Sequence, residues 1–264
     1  MRIASWNVNW IRAVIQKWFF DRVNEIDADI ICLQEVKAFE NQIPTEVRFV
    51  LSDYDILWHR WIRAGYAGTS IFFRKWIKIK EKKSDFPFHE FSDEGRVTEV
   101  SFVYGENVVH LLNVYFPNGW SRADWTEMLT YKLDFYEKMR EYIQSIRDSW
   151  NQVIICGDFN ICHTEIDIAR PKENENSIWF LPIERAEMDK LMSDWLIDVF
   201  RSLNPELRDH YTWRSYRWWA RDRNVGWRLD YFWISPDIMK NIDWMVHQEN
   251  VMGSDHCPVV LELN

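Results

Sequence analysis

Short apolar runs alternate along the chain with longer segments in which apolar residues recur every three or four positions. The runs predict strands at 3–7, 29–34, 54–59, 69–73, 97–103, 108–115, 153–156, 228–234, 242–246 and 258–263. The recurring pattern predicts helices over 11–26, 122–147 and 184–192, with shorter helices beginning at Pro44 and Pro236. Because strands and helices alternate to the last residues, we expect one α/β domain over residues 1–264.

Three further segments refine this picture. Gly105-Glu106-Asn107 separates two predicted strands, which indicates a hairpin and therefore mixed rather than purely parallel sheets. The charged segment 78–83 is predicted to be an exposed strand or loop, and the polar segment 163–176 a loop. The charged residues of the 122–147 helix are expected on its solvated face, opposite an apolar stripe that packs on a sheet.

The segment Gln152–Asn160 is central to the interpretation. Its apolar residues Val153 to Cys156 predict a buried strand, Gly157 permits a turn, and Asp158 and Asn160 follow. In extended backbone, residues two apart point to the same face, so a carboxylate and a carboxamide would be aimed together. Such a pair suits the positioning of a water or an oxyanion. A plain turn after a strand is the alternative, because Gly, Asp and Asn are all common in turns.

Polar residues recur at the ends of several predicted strands, which is typical of a site on an α/β scaffold. They are Asn7, Glu35, Tyr115, Asp158, Asn160, Asp230, Asp255 and His256. Oxygen-rich ligands without a cysteine cluster suit a hard cation, Mg²⁺ or Mn²⁺, rather than structural zinc. Glu35 follows a buried strand directly and is the natural first ligand, although a place beside a helix N-cap would equally explain it.

Asp230 lies inside an apolar strand, where a carboxylate needs a partner. His256 is a suitable one, because an Asp230–His256 pair would hold the imidazole charged and oriented toward an anion. A histidine beside an aspartate, here Asp255, is more often a satisfied structural group, and only the position of Asp230 favours the functional interpretation.

The segment from Tyr211 to Asp230 is both basic and aromatic. It carries Arg214, Arg217, Arg221, Arg223 and Arg228, interleaved with Trp213, Tyr216, Trp218, Trp219 and Trp227. Basic and aromatic residues together suit phosphate contacts and stacking on bases or a sugar. A loop whose aromatic side chains simply pack together is the alternative.

Composition narrows the class of protein. With 47% hydrophobic and 28% charged residues, the chain is globular, and its net charge of −9 argues weakly against non-specific nucleic-acid binding. Four cysteines without C-x-x-C spacing predict free thiols, with Cys32 and Cys156 buried in strands. We see no targeting segment and no apolar run long enough for a bilayer. We therefore expect a cytoplasmic monomer without membrane contact.

The chain has 17 Trp and only 8 Gly, whereas about 7% Gly, or roughly 18 residues, would be ordinary. Several tryptophans fall where a turn or a helix end favours glycine: Trp10, Trp61, Trp76, Trp120, Trp150, Trp218, Trp219 and Trp244. Glycine fits backbone with positive φ and tryptophan does not. Our hypothesis is that some of these residues are glycines, encoded by UGA codons that were translated as tryptophan.

Together the motifs resemble the exonuclease III family of apurinic/apyrimidinic (AP) endonucleases, within the wider endonuclease–exonuclease–phosphatase fold. Nine matching segments occur in family order along essentially the whole chain: Ser5–Asn9, Leu33–Lys37, Gly65–Gly68, Glu94–Val97, Asn113–Asn118, Gly157–Asn160, Glu165–Lys172, Asn224–Asp230 and Gly253–Pro258. Each is weak alone, but nine in order form a specific signal. The resemblance implies a four-layer αββα sandwich and hydrolysis of the phosphodiester 5′ of an abasic site in double-stranded DNA, leaving a 3′-hydroxyl. Related members also trim 3′ ends.

The resemblance also implies roles for individual residues. Glu35 with Asn7 would bind the metal, and Asp255 would lie near a second metal position. Asp158 would orient or deprotonate the attacking water, with Asn160 holding it, while Tyr115 and His256 would bind the phosphate. The full metal-side set implied is Asn7, Glu35, Asp158, Asn160, Asp255 and His256. Metal-bound hydroxide, Asp158 and His256 each remain reasonable proton acceptors.

Substrate contacts are implied in the same way. Trp213, Trp227 and Leu229 would form an apolar pocket for the flipped-out abasic sugar, which excludes an intact base by its size. Asn118, Arg122, Lys172 and Asn174 would contact the DNA. Arg214 and Trp10 depart from the family pattern, which usually has an aromatic residue and a glycine there. Alternatives are a deoxyuridine-cutting or general nuclease, a non-DNA phosphoesterase of this fold, or an inactive binding module.

Overall fold

Two six-stranded sheets form the centre of the molecule. The computed structural model describes residues 1–17, 19–59, 66–120 and 125–264. Numbered in chain order, the first sheet contains β1 (Arg2–Asn7), β2 (Ile30–Gln34), β3 (Tyr54–Trp58), β4 (Ser70–Arg74), β11 (Ile242–His247) and β12 (Val259–Leu263). The second contains β5 (Ile79–Lys83), β6 (Val97–Tyr104), β7 (Asn107–Tyr115), β8 (Gln152–Asp158), β9 (Ile197–Asp198) and β10 (Asp230–Ile234). The spatial orders are β11-β12-β1-β2-β4-β3 and β5-β6-β7-β8-β10-β9.

Both sheets are mixed, as the hairpin at Gly105 predicted. The parallel pairs are β1 with β2 and β7 with β8, and the other described pairs are antiparallel. Ile154 and Cys156 of β8 face the core between the sheets, whereas Val153 and Ile155 face the outer helices. This two-residue alternation with both faces buried explains why the central strands are continuous apolar runs.

Helices cover the outer face of each sheet. Helices α1 (Ile11–Ile15), α2 (Phe19–Ile26) and α3 (Thr45–Val50) pack on the first sheet through one apolar cluster. Helices α4 (His89–Ser92), α5 (Trp125–Asp148) and α7 (Pro182–Ser193) pack on the second. Three short α-helices and two 3-10 helices complete the described set: α6 (Pro171–Asn174), α8 (Val199–Leu203) and α9 (Pro236–Met239), with the 3-10 helices at Glu40–Gln42 and Glu165–Asp167. The predicted four-layer αββα sandwich is therefore confirmed.

A buried polar group joins the two sheets. Asn113 of β7 accepts a hydrogen bond from Gln34 Nε2 of β2 (2.7 Å) and donates from Nδ2 to the carbonyls of Leu33 and Ser70. Both side chains are fully buried, so the hydrogen bonds that Asn113 makes to β2 and β4 fix how the sheets are placed against each other. The ends of β2 and β7 consequently meet at one edge of the sandwich.

Some predicted boundaries were wrong. The predicted helix over 11–26 is two helices, because the backbone N–H of Lys17 bonds to Val14 O and closes α1 in a tight turn. The predicted start of the long helix at Arg122 lies outside the described residues, and α5 is described from Trp125. The segment 163–176 includes α6, and the pair β9–α8 was not predicted because both elements are too short to show a period.

Among the described residues, six tryptophans have left-handed backbone, with φ between 50° and 95°: Trp10, Trp150, Trp179, Trp195, Trp218 and Trp219. Trp150 and Trp195 occupy the position after a helix end that favours glycine. At the end of α7, Trp195 N donates to Met192 O and Leu196 N donates to Leu191 O, the hydrogen-bond pattern of a glycine-terminated helix. Of the other suspected positions, Trp76, Trp120 and Trp244 are not left-handed, and Trp61 lies outside the described residues.

The remaining expectations concern the cysteines and the membrane. Cys32, Cys156, Cys162 and Cys257 are free and buried, as the sequence predicted. Among the described residues, no helix combines the length and the apolar character needed to cross a bilayer.

Candidate active site at the edge of the two sheets

Three predicted site residues form a row across neighbouring strands of the second sheet. Asp158 ends β8, and the strand register sets it beside Tyr115 of β7 on one side and Asp230 of β10 on the other. Asp158 and Asp230 are buried, with 1% and 0% of their surfaces exposed. The strand boundaries differ from the prediction, since β8 extends to Asp158 and β10 begins at Asp230. Strand pairing alone therefore brings the phenol and both carboxylates to one edge.

Asn160 joins this row through a turn and not through an extended backbone as predicted. Its φ is 50°, and its backbone N–H donates to Asp158 Oδ1 at 2.9 Å. Its side-chain Nδ2 donates to Asp158 Oδ2 (3.3 Å) and to the carbonyl of Phe116 (2.9 Å). The carboxylate and the carboxamide do lie together, but the left-handed turn at residue 160 is what brings them into contact.

The first sheet contributes Asn7 and Glu35. Asn7 Nδ2 donates to Glu35 Oε1 at 3.0 Å and to Asp158 Oδ2 at 2.8 Å, so one amide connects the two sheets. Glu35 also forms an ion pair with Lys37. Burial alone would raise the pKa of Glu35, but the Lys37 ammonium and the Asn7 amide outweigh it and lower the pKa. Glu35 is therefore an ionised carboxylate that faces Asp158.

His256 lies between the two aspartates of the second sheet. Its Nδ1 is 2.8 Å from Asp230 Oδ2, and its Nε2 is 3.8 Å from Asp158 Oδ2. Burial alone would lower the pKa of His256, but Asp230 and Asp158 outweigh it and raise the pKa to about 10. The imidazole is consequently charged at neutral pH, with Nδ1–H donating to Asp230. The predicted Asp230–His256 contact is confirmed.

Tyr115 remains a hydrogen-bond donor at this edge. Burial, followed by the charges of Glu35 and Asp158, raises its pKa well above the usual range for a phenol. Burial likewise raises the pKa of Asp158, with Asp230 and Glu35 adding to the effect against the opposing charge of His256. A carboxylate with a raised pKa next to a protonated phenol is suited to accept a proton while the phenol binds an anion.

The donor set fits a hard metal cation. Asp158, Asp230 and His256 offer ligand atoms within 4.8 Å of one another, and the Glu35 carboxylate lies beside them through Asn7. Asp230 Oδ1 is buried without a hydrogen-bond partner. Carboxylate oxygens of this kind suit Mg²⁺ or Mn²⁺. In this structure the amide nitrogen of Asn7, not its oxygen, faces the two carboxylates.

Asp255 stands slightly apart from this group. Its Oδ1 accepts a hydrogen bond from Asn9 Nδ2 (3.0 Å), and its Oδ2 accepts one from the Trp213 indole (3.1 Å). Burial alone would raise the pKa of Asp255, but His256, Asn9 and Trp213 together lower it. Asp255 is thus an ionised carboxylate that connects the acidic cleft to the aromatic residues next to it, and its role as a metal ligand stays a prediction.

An apolar cluster borders the cleft where a sugar pocket was predicted. Trp213, Trp227 and Leu229 come together, with the two indole rings edge to face at 6.4 Å, and Trp213 forms a backbone bridge to His256. Trp179 fills the same corner, which the sequence did not predict. Its ring lies 5.4 Å from Trp213 and 5.8 Å from Trp227, and its indole donates to the carbonyl of Asn118.

The residues predicted to contact DNA differ in their exposure and in their hydrogen bonds. Lys172 is exposed on α6, and Asn118 is half-buried beside the aromatic cluster. Asn174 donates to the carbonyls of Ala169 and Arg170 and so stabilises its own loop. Arg122 lies outside the described residues. The roles of these residues stay predictions.

The arginines of the basic segment divide into two groups. Arg228 is fully buried and paired with Asp167 and Asp198, and Arg214 is buried against Glu249 and Asn224. Arg221 donates to backbone carbonyls of the 249–254 loop. Only Arg217 and Arg223 of this set are exposed. Three of the five arginines therefore have structural partners within the protein. Arg217 and Arg223 remain exposed and can contact a phosphate.

The fold and this edge of it define the class, a hydrolase of the endonuclease–exonuclease–phosphatase type. Residues 4–256 match the Endonuclease/Exonuclease/phosphatase family, and the chain belongs to that family.

Individual relatives narrow the type. The chain is 39% identical to an exodeoxyribonuclease of Bacillus subtilis over the full length of both, and 32% identical to a DNA-(apurinic or apyrimidinic site) endonuclease of Dictyostelium discoideum over 100% of this chain and 71% of that protein. It superposes on an AP endonuclease from Archaeoglobus fulgidus with a TM-score of 0.87 and 25% identity, covering 100% and 99% of the two chains. The protein is accordingly a hydrolase of the exonuclease III type.

Proposed function

We propose that this protein is a metal-dependent DNA repair phosphodiesterase that hydrolyses the DNA backbone 5′ of abasic sites and leaves a 3′-hydroxyl. One observation carries the proposal: the buried row Tyr115–Asp158–Asp230, with His256 paired to Asp230, directly borders the apolar cluster of Trp213, Trp227 and Leu229. Anion-binding and water-activating groups thus stand next to an apolar cluster suited to contact a deoxyribose without a base.

Each residue of the site would have a separate role in the reaction. Asp158 would orient the attacking water and accept its proton, and Asn160 would fix the direction of the carboxylate. The His256 imidazolium and the Tyr115 hydroxyl would bind the scissile phosphate and stabilise the charge that develops on it. Asp230 would keep the imidazole oriented. When bound, Mg²⁺ or Mn²⁺ supplies positive charge that polarises the phosphoryl group; Glu35, with Asn7 beside it, and Asp158 would hold the ion.

Binding of damaged DNA would use the neighbouring surface. Asn118 lies beside the apolar cluster, and exposed Lys172, with Arg217 and Arg223, can meet backbone phosphates. Selection of the lesion would need no base-specific contact, because a pocket formed by these apolar residues would exclude an intact nucleotide by size. The same site would also trim 3′ ends, and the similarity to the Bacillus subtilis exodeoxyribonuclease supports this second activity.

The test compares two 5′-labelled duplexes, one with a single tetrahydrofuran abasic analogue and one intact, with Mg²⁺. We expect the abasic duplex to be nicked at least about a hundredfold faster, with one product ending in a 3′-hydroxyl, and Asp158→Asn to lose about 100-fold or more of the rate. Equal rates on both duplexes would indicate a general nuclease instead. A uracil-containing duplex in the same assay tests the deoxyuridine-cutting alternative.

A further inference from the structure

A lysine lies buried directly beneath the catalytic turn. Lys132 of α5 has no exposed surface, although it was predicted to be solvated like the other charges of this helix. It lies on the apolar stripe, three residues after Leu129 and four before Tyr136. Its ammonium donates to the backbone carbonyl of Asn160 at 2.7 Å and to Glu184 Oε1 at 2.5 Å. The Lys132 ammonium therefore bonds both to the turn that carries Asn160 and to Glu184 of α7.

Tyr136 extends this contact by one helical turn. Its hydroxyl donates to the carbonyl of Phe159 at 2.5 Å. Residues four apart share one face of a helix, so Lys132 and Tyr136 hold two successive carbonyls of the turn that follows Asp158. Both side chains are fully buried, so neither is exposed at the cleft.

The turn needs such support because its backbone is in a sparsely populated region. At a φ of 50° Asn160 has a left-handed backbone, which is unfavourable for L residues although asparagine tolerates it better than most. In this conformation the Asn160 amide and backbone N–H both bond to the Asp158 carboxylate. A rotation of the peptide at residue 160 would displace its carbonyl, release these bonds and turn the carboxylate.

Stability alone does not account for the ion pair. Replacing a buried ion pair with apolar residues of similar size is often neutral or stabilising. The Lys132 side chain also packs closely against Gly119, the residue after Asn118. A Cβ added to Gly119 would lie only 3.0 Å from Lys132 Cδ. Glu184 Oε2 in turn accepts the backbone N–H of Leu181 at the start of α7.

We propose that Lys132, with Tyr136, is a positioning residue that fixes the Asp158–Asn160 turn in its reactive conformation. The inference rests on the proposed function, because it gives Asp158 the water-directing role. Lys132 touches neither substrate nor metal, so its removal should lower kcat and leave KM almost unchanged.

The main variant is Lys132→Met combined with Glu184→Gln. It removes the ammonium without leaving a buried carboxylate unpaired, and the glutamine can still accept the N–H of Leu181. Glu184→Gln alone is the matched control that keeps the Lys132–Asn160 bond. Ile143→Ala is the stability control, because this residue is buried on the same helix and lies about 16 Å further along it.

We expect the double variant to lose about 10- to 100-fold in kcat on the abasic duplex with KM within about threefold of wild type, the size of loss that a misplacement near 1 Å produces. Glu184→Gln should stay near the wild-type kcat, and Ile143→Ala should lower Tm but not kcat. A folded double variant with wild-type kcat would overturn the proposal. Should it not fold, Tyr136→Phe takes its place, with an expected loss of about threefold to tenfold and the same overturning result.

A crystal structure of the Lys132→Met, Glu184→Gln double variant tests the positioning role without relying on activity, and so separates this inference from the proposed function. We expect the Asn160 carbonyl to turn away and its amide to leave Asp158. An unchanged turn would overturn the positioning role whatever the activity. If the wild type nicks neither abasic nor intact DNA, the proposed function fails, and the crystal structure still decides the role of Lys132.

Discussion

Asp230 Oδ2 and His256 Nδ1 form a buried hydrogen bond of 2.8 Å between residues that lie 26 positions apart in the chain. The second oxygen of Asp230 has no hydrogen-bond partner, so the histidine is the principal compensation for this buried charge. The pair also maintains the imidazolium, because Asp230 is the largest of the charges that raise the pKa of His256.

We therefore predict that Asp230→Asn shifts the pH dependence of cleavage. In the wild type the imidazolium persists until the pH approaches the His256 pKa of about 10. Without the carboxylate this pKa falls, so the charged form disappears at a lower pH, and kcat at pH 7 should drop by about 100-fold. The measurement is a pH–rate profile, in which the alkaline limb of the variant should move to lower pH. An alkaline limb at the wild-type position would contradict the assigned charge of His256.

Removal of the metal should separate catalysis from binding. With excess EDTA we expect nicking of the abasic duplex to cease, because Glu35 and Asp158 then have no cation through which to act on the phosphate. Exposed Lys172, Arg217 and Arg223 do not depend on the ion, so part of the DNA affinity should remain in a gel-shift or anisotropy measurement. Added Mg²⁺ or Mn²⁺ should restore nicking. Full activity in EDTA would contradict the metal assignment.

Two Trp→Gly substitutions test the hypothesis about the tryptophans. Trp195 is 73% exposed with a φ of 64° after the end of α7, so Trp195→Gly should raise the free energy of unfolding by about 1 kcal/mol without changing the activity. Trp179 has a φ of 75°, and its indole packs against Trp213 and Trp227 within the apolar cluster, so a glycine at this position would open space for the sugar. Trp179→Gly should therefore also raise kcat/KM on abasic DNA, by about tenfold, equivalent to about 1.4 kcal/mol.

Chemical denaturation and steady-state kinetics on both variants give the two readouts. Lower activity of Trp179→Gly would mean that the indole is a working part of the pocket. The gene itself is the direct control, since UGG codons at positions 10, 150, 179, 195, 218 and 219 would remove the hypothesis. Codons of the UGA type at these left-handed positions would support it.

The features that the sequence predicted correctly were those set by residues close together in the chain. Apolar runs located ten of the twelve strands that the structure describes, and the polar residues at their ends located Glu35, Asp158, Asp230 and His256. Local patterns do not give the register between strands, which sets Tyr115 beside Asp158. They also missed the left-handed φ of Asn160, because a non-glycine residue gives little sign of that conformation.

The burial of Lys132 was predicted wrongly for a different reason. Its position on the apolar stripe of α5 was visible, but a charge there was assigned to solvent because lysine is rarely buried. Only the tertiary structure reveals that Glu184, from a helix 52 residues later, and the carbonyl of Asn160 satisfy the ammonium. A single charged residue on the buried face of a long helix is the signal that could have identified it.

The placement of β12 between β11 and β1 has a consequence for synthesis on the ribosome. His256 stands just before this strand, and β12 pairs with the first strand of the chain along Arg2–Ser5. The amino-terminal strand can therefore complete its side of the sheet only after residues 259–262 have left the exit tunnel. A chain that ends before residue 256 lacks the imidazole and the closing strand together, so we expect such a fragment to have no nuclease activity.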